Sequence, residues 1–134
     1  MEKQEKLGEG AKTIASVYEA FEGGDVQALS VLFDPRVKVR QSPLLPWGGV
    51  YQGYLGIMRF VAKLLEQVDS RVAVDEYMEA GEQVIAIGHT RGRVRASGKE
   101  FSVRFVHVWS LKDGRVVRYE PYIDTAKMLE ALKG

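Results

Sequence analysis

Cysteine is absent from the 134-residue sequence, which excludes disulfides, thiol nucleophiles and metal sites built on cysteine. A charge excess is also missing, because 19 Lys and Arg residues stand against 18 Asp and Glu residues, for a formal net charge of +1. No apolar run approaches the roughly 20 residues that cross a bilayer, and the charged beginning MEKQEKLGEGAK lacks the apolar segment of a secretory signal. These absences predict a cytoplasmic protein with no nucleic-acid or membrane partner.

Linkers, repeats and low-complexity tracts are missing too, so the sequence predicts a single domain over residues 1–134. Hydrophobic residues make up 46% of the chain and charged residues 28%, which is the balance of a folded globular domain. Helical patterns fill the first half and strand patterns fill the second. This order is typical of an α+β fold.

Glycine and aspartate divide the helical first half. Apolar residues follow helical spacing over 9–22, and Gly23-Gly24 is expected to end this helix in the left-handed conformation. Asp25 can then cap a short second helix. A brief strand around residues 37–39 precedes a loop rich in turn formers, SPLLPWGGVYQG, and a third amphipathic helix follows the loop.

Three turn signals divide the second half, namely Gly81-Glu82, Ser97-Gly98 and Asp113-Gly114. They predict four antiparallel strands near residues 71–80, 83–95, 100–112 and 115–123. A last short helix over 125–133 carries apolar residues on one side.

Two-residue loops at the last two turns would fix which residues pair across the sheet. His107 is then expected beside Gly88 and Glu120. The same face is expected to carry Phe105, Trp109, Tyr122 and Asp124. A column of small residues stands next to these large ones, namely Ala86, Gly88, Thr90 and Gly92. Small side chains next to large ones leave space above this face of the sheet. If the helices cover the face, they would enclose a mostly apolar pocket for a small molecule.

The opposite face is expected to be apolar as well, with Ile85, Ile87, Val106, Val108, Val117, Tyr119 and Ile123. One layer of helices cannot cover both faces, so the pattern predicts a homodimer through the sheet. A register slip of one residue would exchange the two faces, so both expectations depend on the same pairing.

Three stretches of the sequence carry a resemblance: VYEAFEGGDVQALSVLFDPRVKV, GGVYQGYLGIMRFVAKLL and GKEFSVRFVHVWSLKDGRVVRYEPYIDTAKMLEAL. In this order they resemble the NTF2-like superfamily, and within it the SnoaL-like polyketide cyclases and ketosteroid-isomerase relatives. The resemblance implies a cone, in which a strongly curved sheet and helices close a deep pocket. Members include isomerases, cyclases, hydratases and epoxide hydrolases, besides pocket proteins with no demonstrated chemistry.

The resemblance also implies roles for single residues. The general-base aspartate of the isomerases would fall in Arg40-Gln41-Ser42, which has no carboxylate, and Tyr18 lies one position from their oxyanion tyrosine. His107 matches the strand position of their oxyanion acid, and Asp124 resembles the catalytic aspartate of the cyclases. The cyclase type is therefore implied, with Asp124 as base, His107 as acid or oxyanion partner and Tyr122 as a hydrogen-bond donor. Such proton transfer needs no cofactor.

Structural interpretations stand beside these roles. Asp124 precedes an apolar-periodic helix and can serve as its N-cap. His107 can be a core histidine that is hydrogen-bonded to Glu120. Glu120 could instead orient a catalytic His107, or it could lie in solvent. Trp47, in the loop at the expected pocket mouth, either fills the core or contacts ligand. The remaining pocket wall is expected from Tyr18, Phe60, Phe105 and Trp109.

A metal site is not expected, because the two histidines, His89 and His107, are predicted on opposite faces of the sheet. The arginine-rich run over 89–95 lacks the interleaved aromatics of a nucleic-acid site. Two functions remain open. One is a cofactor-independent isomerase, cyclase or hydratase acting on a largely apolar carbonyl-type substrate, and the other is a non-catalytic ligand-binding or dimerisation module.

Overall fold

Four helices and six strands form in residues 7–133, which are the residues that the computed structural model describes. The helices are α1 (Glu9–Gly23), α2 (Val26–Leu32), α3 (Gly53–Gln67) and α4 (Thr125–Leu132). The strands are β1 (Phe33–Gln41), β2 (Gly49–Gln52), β3 (Val68–Ala80), β4 (Gln83–Val94), β5 (Glu100–Lys112) and β6 (Arg115–Ile123). The α+β expectation is confirmed, and β2 is a strand that the sequence did not predict.

One curved, unclosed sheet contains all six strands in the order β2-β1-β6-β5-β4-β3. β1 and β6 run parallel, whereas the other neighbours run antiparallel. Helix α1 contacts β3 and β4, and α3 contacts β1, β2 and β3. We call the face that carries His107 and packs against α1 the inner face, and the other the outer face. Ile14 and Val17 of α1 are fully buried in the core between helix and sheet.

The predicted helix boundaries of the first half are confirmed. Gly24 ends α1 in the left-handed conformation, with a φ of 67°. The Asp25 side chain caps α2, since its Oδ1 accepts a hydrogen bond from the Ala28 amide at 3.0 Å. Within the part of the chain that the structure describes, no helix has both the length and the apolar character needed to cross a membrane.

The predicted pairing of β5 with β6 is wrong beyond the turn. Lys112 pairs with Arg115 as expected, but a bulge at Val117 moves the remaining pairs by one residue, so that His107 lies opposite Pro121 instead of Glu120. Because side chains alternate along a strand, this single extra residue exchanges the faces on which the following side chains of β6 lie. Tyr119 is therefore on the inner face, and Glu120 is on the outer face.

The predicted pairing of β4 with β5 is wrong by two residues. Arg93 pairs with Glu100 across a longer loop, and His107 lies opposite Ala86. A shift of two residues preserves the faces, so the column of small residues stays on the inner face. At Gly88 the lack of a side chain is not explained by space for a ligand, because a Cβ built there would meet the Ala73 carbonyl oxygen at 2.0 Å. The backbone of β3 bends closely over this position, which therefore leaves no room for a ligand.

The outer face keeps four of the predicted apolar residues, namely Ile85, Ile87, Val106 and Val108. Tyr119 and Ile123 belong instead to the inner face, and Val117 lies in the bulge. Met78 and Tyr122 join the outer face opposite Ile85 and Val106. Val106, Met78 and Tyr122 are all exposed, so an apolar patch remains on this face.

Candidate functional site

A cavity of about 200 Å³ lies between the inner face and the helices α1 and α3. The buried side chains of His107 and Tyr119 form one end, and the exposed side chains of Glu22 and Arg71 form the other, which we call the mouth. The walls between the two ends are largely apolar, from Phe21, Phe60, Val61, Leu64, Leu65 and Val72. An apolar cavity of about 150 Å³ holds benzene, so this one has space for a ring with a short substituent.

A chain of hydrogen bonds runs across the buried end. The indole Nε1–H of Trp109 donates to the Tyr18 hydroxyl oxygen at 3.0 Å. The Tyr18 hydroxyl lies 2.6 Å from Nδ1 of His107. We assign the Tyr18 O–H as the donor to Nδ1, because the Tyr18 oxygen accepts from the indole, and this assignment leaves the proton of the neutral imidazole on Nε2. We call Trp109, Tyr18 and His107 the buried relay.

Aromatic stacking holds the relay in position. The imidazole of His107 stacks on Phe105 with centroids 3.8 Å apart, and Trp109 stacks on Tyr119 at 3.9 Å. The Tyr119 hydroxyl lies 3.4 Å from both ring nitrogens of His107. Tyr119 thus reaches the same imidazole from the neighbouring strand, with its ring nearly perpendicular to it.

Burial keeps the whole cluster uncharged at neutral pH. Desolvation lowers the pKa of His107 to about 3, because the imidazolium would lose its water without gaining a counter-charge. Desolvation also raises the pKa values of Tyr18 and Tyr119 well above the usual tyrosine range. The cluster is therefore a set of neutral hydrogen-bonding groups, able to donate from Nε2 of His107 and from the Tyr119 hydroxyl.

A carboxylate is found in the described lining of the cavity only at the mouth, where Glu22 contacts Arg71. Next to the relay there is no acidic side chain among the lining residues. The buried end can thus orient and polarise an acceptor oxygen, whereas a strong base is missing from its described lining.

The sequence matches a family model for the SnoaL-like domain over residues 14–119. The chain belongs to the SnoaL-like family. No curated protein matches this SnoaL-like chain.

Solved structures place this SnoaL-like protein within the NTF2-like fold, as the resemblance implied. An NTF2-like protein of unknown function from Burkholderia pseudomallei is 27% identical, with a TM-score of 0.87 over 96% of this chain and 100% of that chain. TerC, crystallised with polyporic acid, is 25% identical, with a TM-score of 0.85 over 95% of this chain and 100% of that chain. A protein from Jannaschia assigned as a SnoaL-like polyketide cyclase shares the fold at 18% identity, with a TM-score of 0.83 over 94% of this chain and 92% of that chain.

Four of the residues singled out in the sequence line the cavity of this SnoaL-like protein: Tyr18, Phe60, His107 and Trp109. Phe105 lies behind His107, 1% exposed, and supports its ring rather than lining the cavity. Trp47 is 2% exposed and does not line the cavity either, which agrees with a residue that fills the core.

Glu120, Tyr122 and Asp124 are not brought to the cavity. The bulge in β6 puts Glu120 and Tyr122 on the outer face, where the Tyr122 hydroxyl donates to Glu120 Oε2 at 3.2 Å. Asp124 is exposed and caps α4, since its Oδ1 accepts a hydrogen bond from the Lys127 amide at 3.2 Å. The expected meeting of Asp124 with His107 is therefore wrong, and the structural interpretation of Asp124 agrees with its position.

A substitution of Asp124 tests this capping role. Asparagine caps a helix about as well as aspartate, so Asp124→Asn is expected to change the free energy of unfolding by less than about 0.5 kcal/mol. Asp124→Ala is expected to cost about 1 kcal/mol, because the Lys127 amide loses its acceptor. Urea denaturation at neutral pH measures both. A marked stabilisation by Asp124→Asn would contradict the capping role and indicate that the carboxylate of Asp124 destabilises the folded state.

Tyr119 lines the buried end of the cavity, and the sequence reasoning missed it. Regular alternation along β6 put it on the outer face, and only the bulge at Val117 brings it inside. The sequence offers one signal, since Val116 and Val117 are consecutive apolar residues, after which Arg118, Tyr119 and Glu120 alternate again. Such a break in the period of two is consistent with a bulge.

The two histidines do lie on opposite faces, as predicted. His89 pairs with Arg104 on the outer face, where its Nδ1 lies 3.0 Å from Asp75 Oδ2. Among residues 7–133, no group of three or more His, Asp or Glu side chains is arranged to hold a metal ion.

Proposed function

We propose that this SnoaL-like protein binds a small, largely apolar molecule through a carbonyl-type oxygen, which His107 and Tyr119 hold and polarise. The buried relay carries this proposal. With Tyr18 assigned as the donor to Nδ1, the imidazole has its N–H on Nε2, and the Tyr119 hydroxyl lies 3.4 Å from that nitrogen. Two neutral donors at the end of an apolar cavity suit one acceptor oxygen on an apolar body.

Fixed donors that point at a carbonyl oxygen favour the charge that develops on it during enolisation, cyclisation or hydration. The proposed ligand is therefore a substrate of the isomerase, cyclase or hydratase type, with His107 and Tyr119 as oxyanion donors. TerC, which was crystallised with polyporic acid, supports a small-molecule site in this fold.

A non-catalytic ligand-binding protein is the second candidate. It is favoured by one observation, the lack of a carboxylate beside the relay in the described lining of the cavity. Without a base, the two donors would orient a ligand and leave its protons in place.

Matched probes test the proposed binding. Acetophenone and α-methylstyrene have the same shape, but only acetophenone has a carbonyl oxygen. We expect acetophenone to bind about 3- to 10-fold more tightly, the usual net worth of a hydrogen bond. Titrations followed by ¹H–¹⁵N NMR can use the indole signal of Trp109 as reporter and that of Trp47, which lies outside the cavity, as an internal control.

Tyr119→Phe should lower this preference for the ketone while leaving the affinity for the hydrocarbon unchanged. Tyr122→Phe, on the outer face of the same strand, is the matched control and should keep the preference. If neither probe shifts the Trp109 signal, or if both variants behave alike, the proposed site is wrong.

Deuterium exchange separates the two candidate functions. Acetophenone is incubated with the protein in D₂O, and loss of its methyl signal is followed by ¹H NMR. Exchange that is faster than in buffer and slowed by Tyr119→Phe would support an enzyme that activates carbon acids. Exchange at the buffer rate, with binding retained, would support the ligand-binding protein.

We also propose that a second copy of the chain covers the outer face. Ile87, Val106 and Tyr122 lie side by side on β4, β5 and β6, and an exposed apolar patch of this kind usually marks an interface. A closed twofold dimer buries such a patch against itself.

Light scattering coupled to size-exclusion chromatography tests the dimer. The parent should give about twice the chain mass of 15.0 kDa. Val106→Glu, at the centre of the patch, should give a folded monomer, because it would bury a charge in the interface. Val31→Glu, at a residue of α2 that is 68% exposed, should leave the mass of the parent unchanged. A monomeric parent would disprove the dimer.

A further inference from the structure

An ion pair lies at the mouth of the cavity. Nη1 of Arg71 lies 3.0 Å from Oε1 of Glu22, and both residues line the cavity. The two side chains are 80% and 63% exposed, so water screens their attraction and little free energy is lost when they separate. The pair links the end of α1 to the beginning of β3, so a ligand that protrudes from the mouth meets both charges.

The cavity therefore has two different polar ends with an apolar wall between them. The buried end offers neutral donors from His107 and Tyr119. The mouth offers a full positive charge on Arg71, in a planar group whose donors match a carboxylate in two-point geometry. A molecule that fills the cavity thus meets a carbonyl site at one end and a guanidinium at the other.

The charges around Arg71 favour an anion over a cation at the mouth. Arg71 pairs with Arg91 in the ladder between β3 and β4, so two positively charged residues are neighbours at this edge of the sheet. Arg93 already has Glu100 at 3.4 Å and stands opposite Asp69, which leaves Glu22 as the carboxylate in contact with Arg71. A ligand carboxylate beside Arg71 would be attracted by this positive charge, whereas an ammonium group would be repelled.

We propose that the ligand of this cavity is an apolar carboxylic acid whose carboxylate binds Arg71 at the mouth and displaces Glu22. This assignment rests on the proposed function, because the inner end of the same molecule is the carbonyl held by His107 and Tyr119. Arg71 selects the charged end of the ligand, and Glu22 competes with it for the guanidinium.

Two probes that differ only at the outer end test the assignment. 3-(4-Acetylphenyl)propanoate carries the carbonyl and the carboxylate, and its primary amide carries the carbonyl without the charge. In the parent protein at neutral pH and low salt, the acid should bind about three- to fivefold more tightly than the amide. Titrations use the Trp109 indole signal, as for the simple ketone.

Substitutions at the mouth should move this preference in opposite directions. Arg71→Gln should abolish it, and Glu22→Gln should increase it by removing the competitor. Affinity for the amide should stay the same in both variants. Arg36→Gln removes one exposed positive charge outside the cavity and should leave the preference as in the parent.

The outcomes distinguish the proposed carbonyl site from the proposed carboxylate site. If the amide and acetophenone both fail to bind, the proposed carbonyl site is wrong. If the amide binds and the acid gains nothing over it, or if Arg71→Gln keeps the gain, the carbonyl site stands and the carboxylate site at Arg71 is wrong.

Discussion

The free energy of unfolding is expected to fall by about 1.4 kcal/mol for each pH unit between about pH 6 and pH 4, because of His107 alone. In the unfolded chain the imidazole takes up a proton below its ordinary pKa of 6.5, whereas burial holds the pKa of the folded state at about 3. Within this window the unfolded state binds more protons, so acidification favours it. Above pH 6.5 the contribution fades as the imidazole of the unfolded chain also loses its proton, and it is nearly gone by about pH 7.5.

His107→Gln tests this contribution, because glutamine keeps an acceptor for Tyr18 and cannot titrate. Urea denaturation at pH 7, 6, 5 and 4 should show a shallower decline in the variant, with a total difference of the order of 3 to 4 kcal/mol by pH 4. His89→Gln is the matched control on the outer face and should retain the steep decline. If His107→Gln declines as steeply as the parent, the imidazole is not held neutral by burial.

Gly88→Ala is expected to lower the free energy of unfolding strongly, by roughly 3 kcal/mol or more. The new Cβ would lie 2.0 Å from the Ala73 carbonyl oxygen and 2.9 Å from Cζ of Phe105. Phe105 can adjust only by losing its stack on His107, and the Ala73 backbone can move only by breaking the ladder between β3 and β4.

Gly23→Ala is the control for this prediction, since a Cβ at Gly23 would meet no atom within 4 Å. It is expected to be neutral or stabilising by up to about 1 kcal/mol, because alanine restricts the unfolded chain. Chemical denaturation of the two variants beside the parent measures the difference. A Gly88→Ala protein as stable as the parent would show that β3 does not approach β4 as closely as described.

The elements and their caps could be predicted because their signals are local. Gly24 and Asp25 mark the boundary between α1 and α2 by properties of the two residues themselves. The inner positions of Tyr18, His107 and Trp109 could likewise be predicted from alternation along β5 and helical spacing along α1.

The composition of the site could not be predicted in full, because it depends on one unpaired residue. The bulge at Val117 brings the side chain of Tyr119 to the cavity. It directs Glu120 and Tyr122 away from the cavity, together with the end of the strand that leads to Asp124. A rule of strict alternation places all four on the wrong side. The reason for glycine at position 88 could not be predicted either. It is the close approach of the β3 backbone, and the sequence of β4 alone does not show where β3 lies.

The parallel pairing of β1 with β6 has a consequence for the synthesis of the chain. Val39 pairs with Tyr119, so the first strand must wait for its second neighbour in the sheet, which leaves the ribosome about 80 residues later. At translation rates of roughly 5 to 20 residues per second, that delay is about 4 to 16 seconds. During this time β1 has β2 and α3 beside it, but its edge towards β6 has no partner. We therefore expect nascent chains that end before β6 to be bound by chaperones, and release to follow the emergence of Tyr119.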